Sequence, residues 1–527
     1  MSAARPPEGA HTAAEGEGTP VRAARPPEGA HTAAEGEGIP VRAARPPEGA
    51  HTAAEGEGIP VSAARPPEGA HTVAEGEGTP VSQLLPRPVA ITVFLALAFA
   101  YFLSALVRAV TATLAPTLAP EFALQARDLG LLAGGYFLGF AAMQLPLGRW
   151  LDRHGPRKVL LGFLGLAVLG CLVFAAATGF SGLLAGRVLC GAGVSACLMA
   201  PLTGYRRWFA PQAQMSANSW MLMMGSLGMV ASTLPVQWAL PLWGWRPLFW
   251  ALAALIALAM VVIALRVPGW ASGTDGAGRA GGTDGTGGAA ASGYALVWRH
   301  PYFQRLAPLG FFCYGGMMAM QTLWAGPWMQ RVAGYTPLES AAGLFGINVA
   351  MLGAFWTWGM VNPWLLRKGW GADRLLALGL PLSLAVLLGI IIAGPRAGGG
   401  AWALYCVSCT CVALSQPALA LAFPQALAGR ALSAFNLVIF AGVFTVQWGI
   451  GLAVDAFVAV GATDFAAGPP QGEIRPPRGA GSEATVGVNT TAAFQAAMAL
   501  YLACNAAAYA WFLFRGQRHN ARQAPVP

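Results

Sequence analysis

Two arginines stand inside otherwise apolar stretches: Arg108 in "YFLSALVRAVTATLAP" and Arg187 in "LLAGRVLCGAGVSACLMAP". A guanidinium presents its N–H donors in a planar fork that fits a carboxylate, a phosphate ester or an inorganic oxyanion. Buried in hydrocarbon it is costly unless it snorkels, pairs, or faces water, so each arginine is a candidate for function. No Asp or Glu lies in the middle of an apolar run to pair with them, and Asp455, near the end of a later run, is the nearest in kind. For Arg108 the readings are an anion anchor or a side chain reaching the interface. For Arg187 they are a substrate ligand or a structural role. Gln144, Gln321, Trp324 and Asn348 could complete a polar substrate site, as could Tyr136, Tyr314, Gln416, Asn436 and Gln447. Each of these taken singly fits an interhelical hydrogen bond or interface anchor as well.

Other chemistries are poorly provided for. No histidine falls in the middle of an apolar run, and no set of His, Asp, Glu or Ser gathers at one depth as a membrane enzyme would need. Phosphate-cradling glycine loops and HExxH zinc helices are missing, so no catalytic residue, cofactor or resident metal is expected. The chain also lacks the buried carboxylates usual in proton relays, which disfavours, without excluding, a proton-coupled exporter of drugs or metabolites. A sulfur-rich alternative is a Cu(I) importer. Met215, Met221, Met223, Met224 and Met229, then Met317, Met318, Met320 and Met329, then Cys406, Cys409 and Cys411 offer soft ligands. The same residues are ordinary fillers of apolar helices.

The elements that carry these residues follow from composition. Of 527 residues, 55% are hydrophobic and 10% charged, at a mean hydropathy of +0.53. Soluble domains carry about 25% charged residues, so the chain reads as an integral membrane protein. Twelve apolar windows are long enough for helices of about 20 residues, six in 88–266 and six in 303–514. Arg108 falls in span one (89–112), Gln144 in span two (129–149), and Arg187 in span four (181–205). Gln321 and Trp324 fall in span seven (303–325), and Asn348 in span eight (338–361).

Three segments lie outside the spans. Residues 2–81 are four copies of a 20-residue unit rich in Pro, Gly and Glu; with so little to bury, 1–87 is expected to be a disordered tail. The Gly-rich stretch 267–302 reads as a flexible linker, and 515–527 as a second tail. From the polar start, no cleavable signal peptide is expected. All eight cysteines lie in apolar runs, so no disulfide framework is expected.

The net charge of +9 does not point to nucleic acid, because the basic residues are scattered through short loops. With both termini in the cytoplasm, the segments on that side outside the repeats hold 18 Arg and Lys against six on the other. That is the positive-inside pattern. Abundant Ala, Gly and Pro beside only two lysines suit a GC-rich bacterial genome, and so a bacterial inner (plasma) membrane.

One loop concentrates charge. "LGRWLDRHGPRKVLL", residues 147–161, joins spans two and three on the expected cytoplasmic side. Gly148 is expected to permit a close helix approach. The run resembles the loop motif of the major facilitator superfamily, G-x-L-A-D-R-x-G-R-K-x-x-L. Gly148, Asp152, Arg153, Gly155, Arg157 and Leu160 match it, whereas Pro156 stands where an Arg is usual. "RVLCGAG", with Arg187, Gly191 and Gly193, is similar to a second motif of that family, R-x-x-x-G-x-G. The mirror loop "NPWLLRKGWGADRLL" keeps Arg367 and Lys368, but its Asp is displaced.

The resemblance covers about residues 88–515. It implies an all-α fold of twelve transmembrane helices in two six-helix bundles related by pseudo-twofold symmetry, with a solute site between them. It also implies secondary transport by alternating access. Gly148, Asp152, Arg153, Gly155 and Arg157 are then expected to form a gating latch, with Arg430 of span eleven as partner of Asp152. The expected ligand is a small solute, most simply an organic or inorganic anion, handled by a monomer in the lipid bilayer.

Overall fold

The computed structural model describes residues 84–209, 211–269, 294–467 and 482–523. The repeats and most of the Gly-rich linker lie outside the described residues. Every regular element among the described residues is helical. Spans one to four are Arg87–Glu121, Ala126–Leu151, Arg153–Ala175 and Phe180–Arg206, and span six is Trp245–Arg266. Spans eight to twelve are Pro337–Arg367, Ala372–Arg396, Gly399–Leu421, Leu427–Val460 and Thr490–Gly516.

The remaining two are irregular. Span five is Ser216–Ala231 plus Leu234–Trp243, bent by 43°. The break has a local cause: Pro235 has no N–H to give and clashes with the preceding turn, while Ser232 and Thr233 turn their hydroxyls back onto Met229 and Val230 carbonyls. The carbonyl of Ser232 is taken up by Thr113 of span one at 2.8 Å. Span seven is a continuous helical run over 301–331, interrupted by π turns at Leu309–Tyr314 and Met320–Trp324. Among the described residues, ten helices are long and apolar enough to cross a membrane, and eleven when the bent span five is counted as one.

Glycines set how closely the helices approach. A Cβ at Gly191 would strike the Tyr136 carbonyl, which seats span four on span two. Gly315 and Gly442 bring spans seven and eleven together in the second half, because a Cβ at Gly315 would lie 2.8 Å from the Ile439 carbonyl. Between the halves, span two runs along span eleven. Gly130 abuts Gln447, Gly134 abuts Phe444, and the rings of Phe137 and Phe140 meet Phe440, the closer at 4.4 Å between centroids.

These contacts occupy the end away from loop 147–161, here called the distal end. There Asp455 of span eleven accepts from the backbone N–H groups of Ala126 and Arg127, at 3.2 and 2.9 Å. Gly148 continues the same face of span two toward the loop end, yet a Cβ there would meet nothing within 4 Å, and the same holds at Gly429 of span eleven. The expected close approach at Gly148 is therefore absent: spans two and eleven are joined distally and part toward loop 147–161.

Candidate substrate site

Arg187 is 1% exposed. Its Nη1 donates to the Val107 carbonyl at 2.8 Å, its Nη2 points to the Arg108 carbonyl at 3.4 Å, and its Cζ lies 4.8 Å from the Tyr136 ring centroid. Both ends of the fork are thus committed to span one and its face to span two. This geometry fits the structural reading of Arg187, although its Nε is buried without a hydrogen-bond partner.

Arg108 differs. It is half-buried and keeps contact with solvent. Its Nε is buried without a hydrogen-bond partner, and among the described residues no carboxylate forms an ion pair with it. Its polar neighbours are the phenols of Tyr136 and Tyr101, and its Cζ lies 6.0 Å from the Phe140 ring. Tyr314, on the first π turn of span seven, is within electrostatic reach of Arg108 and Tyr101. Phe440 of span eleven closes on Phe140. Arg108, next to the buried Arg187, is therefore walled by aromatic rings from both halves.

The other expected ligands fall elsewhere. Gln144 is buried and its amide turns back to the Phe140 carbonyl of its own helix at 3.5 Å, so it does not join Arg108. Gln321 and Asn348 are brought together: the Gln321 amide donates to Asn348 Oδ1 at 2.8 Å, and Asn348 donates to the Leu344 carbonyl. Trp324 is fully buried and donates to the Gln447 carbonyl at 3.0 Å, while the Gln447 amide donates to Thr322. These residues form a bonded network through spans seven, eight and eleven, beside the second π turn. One acceptor in it, Gln447 Oε1, is left without a partner. A second polar pair, Gln416 and Asn436 at 2.7 Å, joins spans ten and eleven; Asn436 lies one turn before Phe440 and is half-buried.

Sequence reading passed over Tyr101, Phe140 and Phe440. Tyr101 was within reach of it, since seven residues are two helical turns and place Tyr101 on the face of Arg108. Nothing in the sequence announces Phe440, whose partner lies about 300 residues away.

At the loop, Gly155 has φ +75° and ψ 164°, a conformation open to glycine alone. Arg157 donates to the Ala264 carbonyl at the end of span six. Arg153 is exposed and Arg430 is half-buried. The side chain of Asp152 lies outside the described residues, and with it the expected pair with Arg430. In the second half, the displaced Asp373 has a use of its own. It accepts from Tyr302 at 2.7 Å and pairs with Arg305 at 2.5 Å, tying span seven to span nine. As for the sulfur alternative, among the described residues no three His, Cys, Asp or Glu gather closely enough to hold a metal ion.

The fold has known counterparts. A bacterial homolog of the human lysosomal transporter Spinster, in an inward-facing and unoccupied conformation, superposes with a TM-score of 0.65 at 16% identity, covering 82% of this chain and 98% of the other. A D-xylose–proton symporter gives 0.58 at 15% identity, over 77% and 96%. Among curated sequences, the nitrate/nitrite transporter NrtP of Picosynechococcus sp. is 34% identical over 118 residues, or 22% of this chain and 21% of that protein. A triacylglyceride transporter of Mycolicibacterium hassiacum is 31% identical over 137 residues, 25% of each chain. The chain thus matches only a fifth to a quarter of the length of these curated relatives. The family model described as Major Facilitator Superfamily matches residues 97–446. The chain belongs to that superfamily: it is an integral multi-pass membrane protein that moves a small solute by secondary transport, and it is not an enzyme.

Proposed function

We propose that the solute is a small anion and that Arg108 is its anchor. The observation that carries this reading is the contrast between the two arginines. Each keeps a buried Nε without a hydrogen-bond partner, but Arg187 gives both Nη groups to the backbone of span one and is 1% exposed, whereas Arg108 keeps solvent contact among aromatic walls. A guanidinium held without a counter-charge in a low-dielectric cleft favours an incoming negative charge. The partial match to a nitrate/nitrite transporter lends support to an anionic solute. The bundles rock about this cleft: the distal contacts of Asp455 and Gly130 open as the loop end closes. The distribution of Arg and Lys supports a cytoplasmic side for loop 147–161 and both termini, and the reading takes the protein as a monomer of a bacterial inner membrane. The cleft described here is then open to the cytoplasm.

The experiment is a thermal-stability screen of the purified protein against organic anions, organic cations and Cu(I), with Arg108→Gln in parallel. A ligand of the native state raises apparent stability by mass action. Stabilisation by an anion in the wild type and its loss in the variant is the expected result. Stabilisation by cations or Cu(I) alone, or equal stabilisation of both proteins, overturns it.

A further inference from the structure

In the first half, spans one and six enclose a groove of about 540 Å³, a size in which single small molecules are held. Leu95, Ala96 and Phe99 of span one and Val262 and Leu265 of span six form its apolar length. Leu95 and Leu265 are exposed, so in a membrane the groove faces lipid. It is separate from the solute cleft. At about 100° per residue, Tyr101 and Arg108 lie on roughly the opposite face of span one from Thr92, Leu95 and Phe99.

The chemistry of the groove changes along its length. Thr92 and Arg266 are its polar lining residues, and both lie toward the loop end. Span six has 22 residues, which makes about 33 Å of helix against about 30 Å of hydrocarbon. Its last residue, Arg266, therefore stands at the level of the lipid headgroups. From Thr92 to Phe99 the groove descends two helical turns, about 10 Å, into the apolar layer. A cation at the mouth with an apolar channel below it matches an amphiphile with an anionic head and a hydrocarbon tail.

The two ends of span six differ in how their arginines are used. At the distal end Arg246 pairs with Glu121 at 2.7 Å and donates to the Ala177 carbonyl. At the loop end Arg266 is exposed, and among the described residues its guanidinium has no hydrogen bond or ion pair. The Ala264 carbonyl beside it is already taken by Arg157, which brings a second cation to the same end of the helix. Arg266 is left with its full fork of donors at the mouth of the groove.

We propose that this groove binds one anionic phospholipid, its phosphate held by the fork of Arg266 and one acyl chain lying along Leu95, Phe99 and Val262. A phosphate takes two parallel N–H bonds from a guanidinium, and basic pockets between membrane helices suit acidic headgroups. The bound lipid braces span one, which carries Arg108, against span six, to which loop 147–161 is tied through Arg157.

The test is a set of thermal-shift titrations of the full chain in a neutral detergent with phosphatidylglycerol, phosphatidylcholine and glycerol 3-phosphate. The proteins are the wild type, Arg266→Gln, Val262→Trp, Arg108→Gln and Arg206→Gln, the last altering an exposed arginine at the loop end of span four. Phosphatidylglycerol should stabilise the wild type saturably, and the other two compounds should not. Arg266→Gln should weaken the titration about tenfold or more, as for lost hydrogen bonds to a charged group. Val262→Trp fills the groove and should weaken it as well, whereas Arg206→Gln should titrate like the wild type.

No response of the wild type, or an equal response to phosphatidylcholine, overturns the proposal. Equal losses in Arg206→Gln and Arg266→Gln would mean diffuse attraction to a basic surface, and overturn it too. An unchanged titration in Val262→Trp, or equal stabilisation by glycerol 3-phosphate, would show a headgroup bound without the groove and has the same effect. Loss of the lipid response in Arg108→Gln alone would place the lipid in the solute cleft, and the groove assignment falls. Should Arg266→Gln or Val262→Trp lower the ligand-free midpoint, native mass spectrometry counts the phosphatidylglycerol retained per chain. One lipid kept by the wild type and lost by the variant supports the site, and equal retention overturns it.

Discussion

The Nη1 of Arg187 donates to the carbonyl oxygen of Val107 across 2.8 Å, one residue before Arg108 in the same helix. Two arginines from different spans thus meet at one point of span one, where both Nη groups of Arg187 turn to backbone carbonyls. Arg187 holds the segment that presents Arg108. Replacing Arg187 by Gln should lower stability by about 1–3 kcal/mol, the range for losing buried hydrogen bonds to a charged group. Arg187→Lys should not restore it, because a single ammonium cannot bond two carbonyls and lie flat on Tyr136. The midpoint of thermal unfolding in detergent is the readout. An unchanged midpoint together with lost anion response would move Arg187 from clamp to ligand.

Asp455 makes a second contact across the molecule, this time between the halves. Its carboxylate accepts from the N–H groups of Ala126 and Arg127, the first two residues of span two. Those groups have no partner within the helix, and the partial positive charge of a helix start favours an anion there. Asp455→Asn keeps the shape and removes the charge. A loss of about 1 kcal/mol corresponds to a factor of about five in the ratio of distally open to distally closed molecules. Labelling of a single cysteine placed at Ala133, by a reagent that does not cross membranes, should speed up when supplied from the distal side. Equal labelling rates with and without the substitution would show that the contact does not hold the closed state.

Gly130 and Gly139 face different partners on the same helix, and the difference predicts opposite phenotypes. A Cβ at Gly130 would meet the Gln447 carbonyl of the other half, whereas one at Gly139 would meet the Val188 carbonyl of span four. Gly130→Ala should hinder distal closure while leaving each bundle intact, so cysteine labelling changes and the melting midpoint moves little. Gly139→Ala forces two helices of one bundle apart and should cost on the order of 1–3 kcal/mol, as overpacking does. If both variants lose stability alike, the division into rigid halves at span two is wrong.

Hydropathy alone located the spans, because each must be long and apolar whatever its partners are. What it could not show was any feature decided by a neighbour. Span five reads as one run over 215–240, yet it breaks at Ser232–Thr233, where Pro235 is the visible cause and Thr113 of span one the invisible support. The π turns of span seven leave no mark in composition. Arg187 could be named as a buried cation from sequence, but its carbonyl partners are backbone atoms of another helix and have no sequence signature. Asp373 looked misplaced against the first-half loop because that loop was the only template; its partners Tyr302 and Arg305 lie about 70 residues earlier. Arg108 shows the reverse case. Its isolation among apolar residues is a property of the sequence, and the aromatic cleft around it is what that isolation required.

The loop 147–161 carries the last prediction. Gly155 sits at φ +75° between two spans, and Arg157 is tied to the Ala264 carbonyl, so the loop is anchored to its own half on one side and free to face the other half on the other. Gly155→Ala should cost about 1–3 kcal/mol, since a Cβ is strained in that region. The expected latch adds a finer test. If Asp152 pairs with Arg430 when the loop end closes, Asp152→Asn should bias the protein toward the loop-open arrangement. Arg430→Gln should do the same, and the double variant should do no more than either alone. Non-additivity of this kind is the mark of a direct interaction. Accessibility of a cysteine at Gly148, where a side chain has room in the present arrangement, reports the equilibrium from the loop side. Additive effects of the two substitutions would mean that Asp152 and Arg430 act on separate partners, and the latch would then have to be sought between Asp152 and its own half.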